Sequence, residues 1–395
     1  MMTMTEKYKI LGKYIKDMSS ETPDIETFLF VKDNISKYQL NIDINSKALK
    51  DKMIEINTLV RENIKALKPY SSARDEFSDS EGIFLDANEN PFGEFNRYPD
   101  PYQRELKQVI GEYKSIDTSS IFIGNGSDEV IDLLFRIFCS PGIDKALTFS
   151  PTYGMYDVSA AINDVELIKV ELDNNFSLEY EKLASFLEDK SLKLILICTP
   201  NNPTGNSIDF DVIERIIANF NGIVLVDEAY IDFCDARSTT ELIDKYPNLI
   251  VSQTMSKARA LAAARVGIAF SNPKMIALLN KVKPPYNVSL LNQQAAFESF
   301  RNAKQFEENK KTILIEKVKL EKELLDLDLV DRVYPSDANF FLVEVKDANS
   351  VYQSLVDQKI VVRNRNQIVR NCIRITVGSP AENQQLINAL KTIEL

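Results

Sequence analysis

The run GIVLVDEAYIDF, residues 222–233, decides the fold. Four apolar residues, Ile223 to Val226, lead without a polar break into Asp227, Glu228, Ala229 and Tyr230. A short uninterrupted apolar strand of this kind is expected to be buried on both faces, as in a parallel sheet covered by helices. In such sheets ligands bind outside the carboxyl ends of the strands, which places Asp227 at a crevice. An acidic residue at an ordinary strand-loop junction is the plainer reading, and this motif alone does not choose between the two.

Outward from this run, LILICTP (194–200) and LIVSQTMS (249–256) repeat the pattern, and segments such as IDLLFRIF (131–138) come between. Strands alternating with helical segments predict an α/β fold with a mostly parallel sheet. The break at KPPYNVSLLNQQAAF (283–297), followed by the charged helical run 306–329, predicts a smaller α+β domain. The expected division is an arm over 57–95, a large domain over 96–285 and a small domain over 286–395. Residues 1–56 differ in texture. Tyr38, Leu40, Ile42 and Ile44 alternate with polar residues, as in a half-buried antiparallel strand, and 7–18 and 52–57 are further strand candidates. Nine lysines and nine acidic residues balance in 1–56, so the whole net charge of −11 belongs to 57–395 and a boundary falls near Ile56.

Composition narrows the chemistry. With 395 residues, 44% hydrophobic and 27% charged, the chain has the make-up of a multidomain globular protein rather than a disordered one. An acidic chain without a basic block is not expected to bind nucleic acid. There is no histidine, which removes Ser/His/Asp and Cys/His triads, imidazole bases and His-ligated metals. Acid/base work must come from Lys, Asp, Glu, Tyr or Cys, or from a bound cofactor. Cys139, Cys198, Cys234 and Cys372 lie far apart with no C-x-x-C spacing, so neither a zinc knuckle nor a dense disulfide frame is expected. Neither a signal-like leader nor a run of about 18 apolar residues is found, so no membrane partner is expected and a cytoplasmic location is.

Three further features carry chemistry. In VSQTMSKARALAAARVGIAF (251–270), Lys257 follows an apolar strand amid small residues, with Thr254 and Ser256 before it and Arg265 after it. Desolvation there would lower the amine's pKa and free its lone pair, although most single lysines are solvated surface charges. In IFIGNGSDEV (121–130), a strand runs through Gly124 and Gly126 into a helix at Ser127, whose free N–H groups could hold a phosphate. An ordinary helix start capped by Ser127 or Asp128 is the alternative. TPNNPTG (199–205) ends a strand in a turn where the Asn202 amide could bond a ligand oxygen, or merely make a good turn.

In this order and spacing, GNGSDE, SPTYGMY, TPNNPTG, DEAY and the pair Lys257 and Arg265 resemble the signature of fold-type I pyridoxal-phosphate aminotransferases. LDANENPFG (85–93), NRYPDP (96–101), PPYNVSLLNQ (284–293) and CIRITVG (372–378) narrow the resemblance to the histidinol-phosphate aminotransferases, over about residues 56–395. The resemblance implies pyridoxal 5'-phosphate held by Lys257 as a Schiff base, with Lys257 then shuttling the proton at the substrate's Cα. It further implies Asp227 at the pyridinium nitrogen, Tyr230 and Asn202 at the phenolic oxygen, and Tyr153 stacked on the ring. The backbone of Ser127 and Asp128, the side chains of Ser256 and Arg265, and Tyr98 of a neighbouring subunit would hold the cofactor phosphate, so a homodimer is implied. Arg374 matches the arginine that binds the anionic end of the substrate, and Arg363 is a second, unless it is only a surface residue on an edge strand. The implied reaction exchanges an amino group between L-histidinol phosphate and 2-oxoglutarate, giving imidazole-acetol phosphate and glutamate.

Two departures touch the cofactor region: Arg259 stands where the family usually has an aromatic residue, and Ala264 replaces a branched aliphatic before Arg265. The segment between Arg363 and Arg374 is also slightly short. An aromatic amino-acid aminotransferase and a threonine-phosphate decarboxylase are rival readings on the same scaffold. A reading of another class comes from residues 6–57, which resemble the opening strands of the SecB export chaperone and suggest a module that binds unfolded chains.

Overall fold

A computed structural model describes residues 56–69 and 82–394. The strand candidates at 7–18 and 38–44 and nearly all of the SecB-like stretch lie outside the described residues. The third candidate, 52–57, is corrected at its end: Ile56 and Asn57 open a helix, Ile56–Leu59, rather than closing a strand. Ile56 and Val60 are buried there in the cluster that holds Phe138 and Ile276, and burial on one side only favours a helical turn over an alternating strand.

Seven strands form the large sheet: β1 (Ile121–Asn125), β2 (Lys145–Ser150), β3 (Glu166–Glu171), β4 (Leu192–Cys198), β5 (Ile223–Asp227), β6 (Leu249–Thr254) and β7 (Val266–Phe270). Their order is β1-β7-β6-β5-β4-β2-β3. The pairs from β3 across to β6 are parallel, and β7 runs antiparallel to both β6 and β1. The apolar runs explain this burial. Ile195, Ile197, Val224, Val226, Leu249 and Val251 point into one core, while Leu194, Leu196, Ile223, Leu225 and Ile250 point into the other. Successive strand residues face opposite sides, so a strand with both cores to fill is apolar along most of its length.

A second sheet is antiparallel: β8 (Val330–Val333), β9 (Phe340–Val345), β10 (Arg363–Asn364) and β11 (Cys372–Thr376), in the order β10-β11-β9-β8. Phe341, Val343, Ile373 and Ile375 pack against Leu320 and Leu324 of helix Ala303–Leu325 and against Leu386, Ile387 and Leu390 of helix Pro380–Lys391. Ser379 and Glu382 close the start of that last helix as a capping box. Helix Leu290–Arg301, just past the expected boundary at 286, sends Ala296 and Phe300 into the core of the large sheet. The antiparallel sheet itself begins only at Val330.

Among the described residues no helix is long and apolar enough to cross a membrane.

Candidate active site

Strands β4 and β5 end level, Cys198 opposite Asp227, and β6, with Ser252 opposite Asp227, runs two residues further to Thr254. A cavity of about 410 Å³ opens above these ends, lined by Asp227 and Tyr230 after β5, Asn202 after β4, Thr254, Ser256 and Lys257 after β6, and by Arg363, Arg365 and Arg374 from the smaller sheet. Ser127, Asp128, Tyr153 and Arg265 complete it. Eleven of the twelve residues singled out from sequence thus meet in one cavity. Tyr98 does not join them: half exposed, it stacks on Tyr286 at 4.3 Å beside a separate cavity.

Asp227 and its neighbour Glu228 are both buried, yet their surroundings differ. Glu228 accepts from the Thr239 backbone N–H and hydroxyl, the Ser238 hydroxyl and the Gln253 amide. These bonds make it a structural anchor for the loop after β5. Asp227 accepts at Oδ2 from the Tyr156 hydroxyl at 3.0 Å, and its buried Oδ1 has no hydrogen-bond partner. Loss of solvation raises the Asp227 carboxyl to about 6, against the pull of the Tyr156 bond. A buried carboxylate oxygen left open on a cavity wall calls for a cationic donor from a ligand.

Lys257 sits with its Nζ 5.7 Å from the centroid of the Tyr230 ring. Burial, then the nearby charge of Arg374, lowers its proton affinity, so more of it is neutral amine than in water. Tyr230 is held edge-on against Phe340 at 5.1 Å, and Asn202 donates to its hydroxyl at 3.4 Å. Burial raises the Tyr230 phenol and keeps it a donor. Asn202 in turn accepts from Arg374, tying the turn after β4 to the smaller sheet. Asn201 points the other way and bonds Thr152, the Pro151 carbonyl and Thr204, fixing the loop that carries Tyr153.

The helix Ser127–Phe138 begins without a side-chain cap: its N-cap is Gly126, not Ser127 or Asp128. Its first N–H groups are therefore not covered by a capping side chain. Gly126 has φ +77°, and a Cβ there would lie 2.3 Å from the Arg265 guanidinium. Arg265 is held over the turn by Asp128 at 3.3 Å, and Tyr153 donates to the same carboxylate at 3.1 Å. A Cβ on Gly267 of β7 would strike the backbone of Gly126 and Ser127, so both glycines are needed to bring turn and strand this close.

Arg259 proves to be packing rather than chemistry. Its guanidinium lies 3.7 Å from the Phe300 ring centroid, 4.3 Å from that of Phe306 and 4.7 Å from that of Tyr113, and it donates to the Ser299 carbonyl. A flat cation that stacks on rings fills the place of an aromatic side chain.

The donor set fits pyridoxal 5'-phosphate: an amine of lowered basicity, an unpartnered buried carboxylate, and an uncapped helix start beside Ser256 and Arg265. Sequence reasoning missed Tyr156, which orients Asp227, and Arg365. Tyr156 lies three residues after Tyr153, in the first turn of helix Met155–Ile162, and Arg365 follows Arg363 at the two-residue spacing of an extended chain.

Comparison with known proteins agrees with this geometry. The family model for aminotransferase class I and II matches residues 69–390. A histidinol-phosphate aminotransferase of Cytophaga hutchinsonii is 48% identical over 344 residues, covering 85% of this chain and 99% of that protein. The crystal structure of the histidinol-phosphate aminotransferase from Clostridium acetobutylicum superposes with a TM-score of 0.70 at 25% identity, covering 75% of this chain and 90% of that one. The enzyme from Sinorhizobium meliloti, in complex with pyridoxal-5'-phosphate, shares the fold at a TM-score of 0.70 and 23% identity, over 77% of this chain and 89% of that one. With its cavity at the strand ends, its lysine and its open carboxylate, the chain belongs to the class I and II aminotransferase family.

Proposed function

We propose that this chain transfers the amino group of L-histidinol phosphate to 2-oxoglutarate, using pyridoxal 5'-phosphate, in histidine biosynthesis. The observation that carries the reading is the meeting, in one cavity, of Lys257, the open oxygen of Asp227 and a cluster of arginines from the smaller sheet. The identity to histidinol-phosphate aminotransferases over nearly their whole length supports the same substrate.

Pyridoxal 5'-phosphate, when bound, supplies the electron sink that loosens the bond from the substrate's Cα to hydrogen. Lys257 would hold the cofactor through its amine and, once released, would take the proton at the substrate's Cα; this is how a chain without histidine would perform base catalysis. Asp227 presents Oδ1 to the ring nitrogen and keeps a proton there. Tyr156 holds the other oxygen in place. Tyr230 and Asn202 orient the ring's phenolic oxygen, and Tyr153 covers the ring face. The N–H groups at Ser127 and Asp128, with Ser256 and Arg265, hold the cofactor phosphate. The family resemblance gives Tyr98 the role of closing the phosphate site of a second copy in a homodimer, and its exposed ring outside its own cavity is compatible with that role. The four cysteines are all free, in keeping with a cytoplasmic protein.

Arg374 and Arg363 bind the anionic end of either substrate. Arg374→Gln is expected to raise KM for both L-histidinol phosphate and 2-oxoglutarate about 30-fold, because a charge-assisted bond contributes about 2 kcal/mol. It also removes a charge that holds the Lys257 proton affinity down. Steady-state kinetics with each substrate varied separately measure both effects, and an unchanged KM would place the anion elsewhere. The rival readings are tested on the unaltered protein. Catalytic efficiency on L-histidinol phosphate should exceed that on phenylalanine, and threonine phosphate should release no carbon dioxide.

A further inference from the structure

The arginines at the edge of the smaller sheet number three, not two. Arg363 and Arg374 are directly opposed across the antiparallel pair β10–β11, and like charges in that relation repel. Arg365 follows Arg363 by two residues, just past the end of β10, and lines the same cavity. Its backbone is fixed at both ends: its N–H donates to the Cys372 carbonyl at 2.9 Å, and its carbonyl accepts from Ile368 and Val369 at 2.8 Å. The short segment before Arg374 is therefore an ordered turn, closed further by Asn366 accepting from the Asn371 N–H. All three guanidinium groups line the catalytic cavity.

Among the described residues no carboxylate is ion-paired with any of the three, although surface arginines such as Arg104, Arg136 and Arg237 all have such partners. Two of the cluster, Arg365 and Arg374, also keep a buried Nε without a hydrogen-bond partner. Burial and then the charges of Arg374 and Arg363 pull Arg365 down to about 10, with only the Tyr230 phenol acting against them. Arg363 is exposed and also borders an outer cavity, whereas Arg365 is half-buried and borders the catalytic one. Three crowded cations with idle donors are poorly matched to a single carboxylate, which brings one negative charge. A phosphate monoester carries close to two at neutral pH and offers three acceptor oxygens.

We infer that Arg365 is a specificity residue that makes this cavity favour a doubly charged phosphate ester over a singly charged carboxylate at the same position. The inference rests on the aminotransferase reading above. It predicts unequal effects on the two substrates, which share Arg374. In Arg365→Gln, KM for L-histidinol phosphate should rise about 30-fold and KM for 2-oxoglutarate only about 3-fold, so the ratio between them shifts about tenfold. Arg365→Lys, which keeps the charge and loses the planar fork, should fall between the variant and the unaltered protein. Calorimetry of inorganic phosphate binding to the unaltered protein loaded with cofactor gives a second readout, and the affinity should fall at least tenfold in Arg365→Gln.

Equal changes in the two KM values, or phosphate binding that ignores residue 365, would overturn the inference while leaving the enzyme's function standing. If Arg365→Gln does not fold, Arg365→Lys decides: an unchanged KM ratio together with unchanged phosphate affinity overturns the inference. An unaltered protein that binds cofactor but does not turn over L-histidinol phosphate would instead remove the reading on which the inference rests.

Discussion

Replacing Lys257 with alanine should reduce transamination by about 10⁴-fold or more and abolish the visible absorbance of lysine-bound cofactor. Two functions fail at once, because the same amine anchors the cofactor and moves the proton at Cα. No other amine lines the cavity, so none there can replace it. The fold should survive: Lys257 lies beyond the last strand residue of β6, Thr254, and its side chain faces the cavity rather than either core. Cofactor should still bind through the phosphate site, weakly and without the visible band. Spectra and turnover of the purified variant check both parts, and full activity would refute the assignment.

Replacing Asp227 with asparagine should separate function from stability. An amide cannot keep the ring nitrogen protonated, and the rate should fall about 10³-fold, in the range found when a single preorganised electrostatic group is removed. Stability without cofactor should move the other way. Burial raises the folded carboxyl from an ordinary 3.8 to about 6, so the folded chain holds the proton more tightly than the unfolded chain does. The stabilisation from that proton is complete below about pH 4 and is lost as pH rises through 6. At pH 8 the ionised carboxylate therefore costs the cofactor-free protein up to about 3 kcal/mol, which Asp227→Asn should recover in part. At pH 4 the two should be alike. Urea unfolding of both proteins without cofactor, at the two pH values, measures the difference. A variant less stable than the parent at pH 8 would mean that Asp227 is compensated by a group other than a ligand.

The parts of the site that could be read from sequence are those at strand ends. Asp227 directly follows an unbroken apolar run, and in a sheet covered on both sides the polar residue that ends such a run marks where the core stops; Asn202 and Lys257 lie in the turns that follow the neighbouring strands. That Asp227 rather than Glu228 would be the open carboxylate follows from partners distant in sequence, Thr239 and Gln253, which satisfy Glu228. Arg259 was opaque for the same reason. A cation is expected in solvent, and only the meeting of Tyr113, Phe300 and Phe306 from three separate segments shows why it is buried. Arg365 was legible in principle, from period-two spacing after Arg363, but a two-residue strand is too short to show its period. The pairing of the two sheets' residues in one cavity, through Asn202 and Arg374, is a tertiary fact without local signal.

Lys257, Asp227 and the arginine cluster are expected to act together on a phosphate-bearing amino donor. This joint action is tested most directly by the absorbance spectrum of the purified protein with pyridoxal 5'-phosphate, before and after L-histidinol phosphate is added without any keto acid. A visible band of lysine-bound cofactor should form, disappear on adding the donor and return on adding 2-oxoglutarate. A band that forms but ignores L-histidinol phosphate would contradict that expectation.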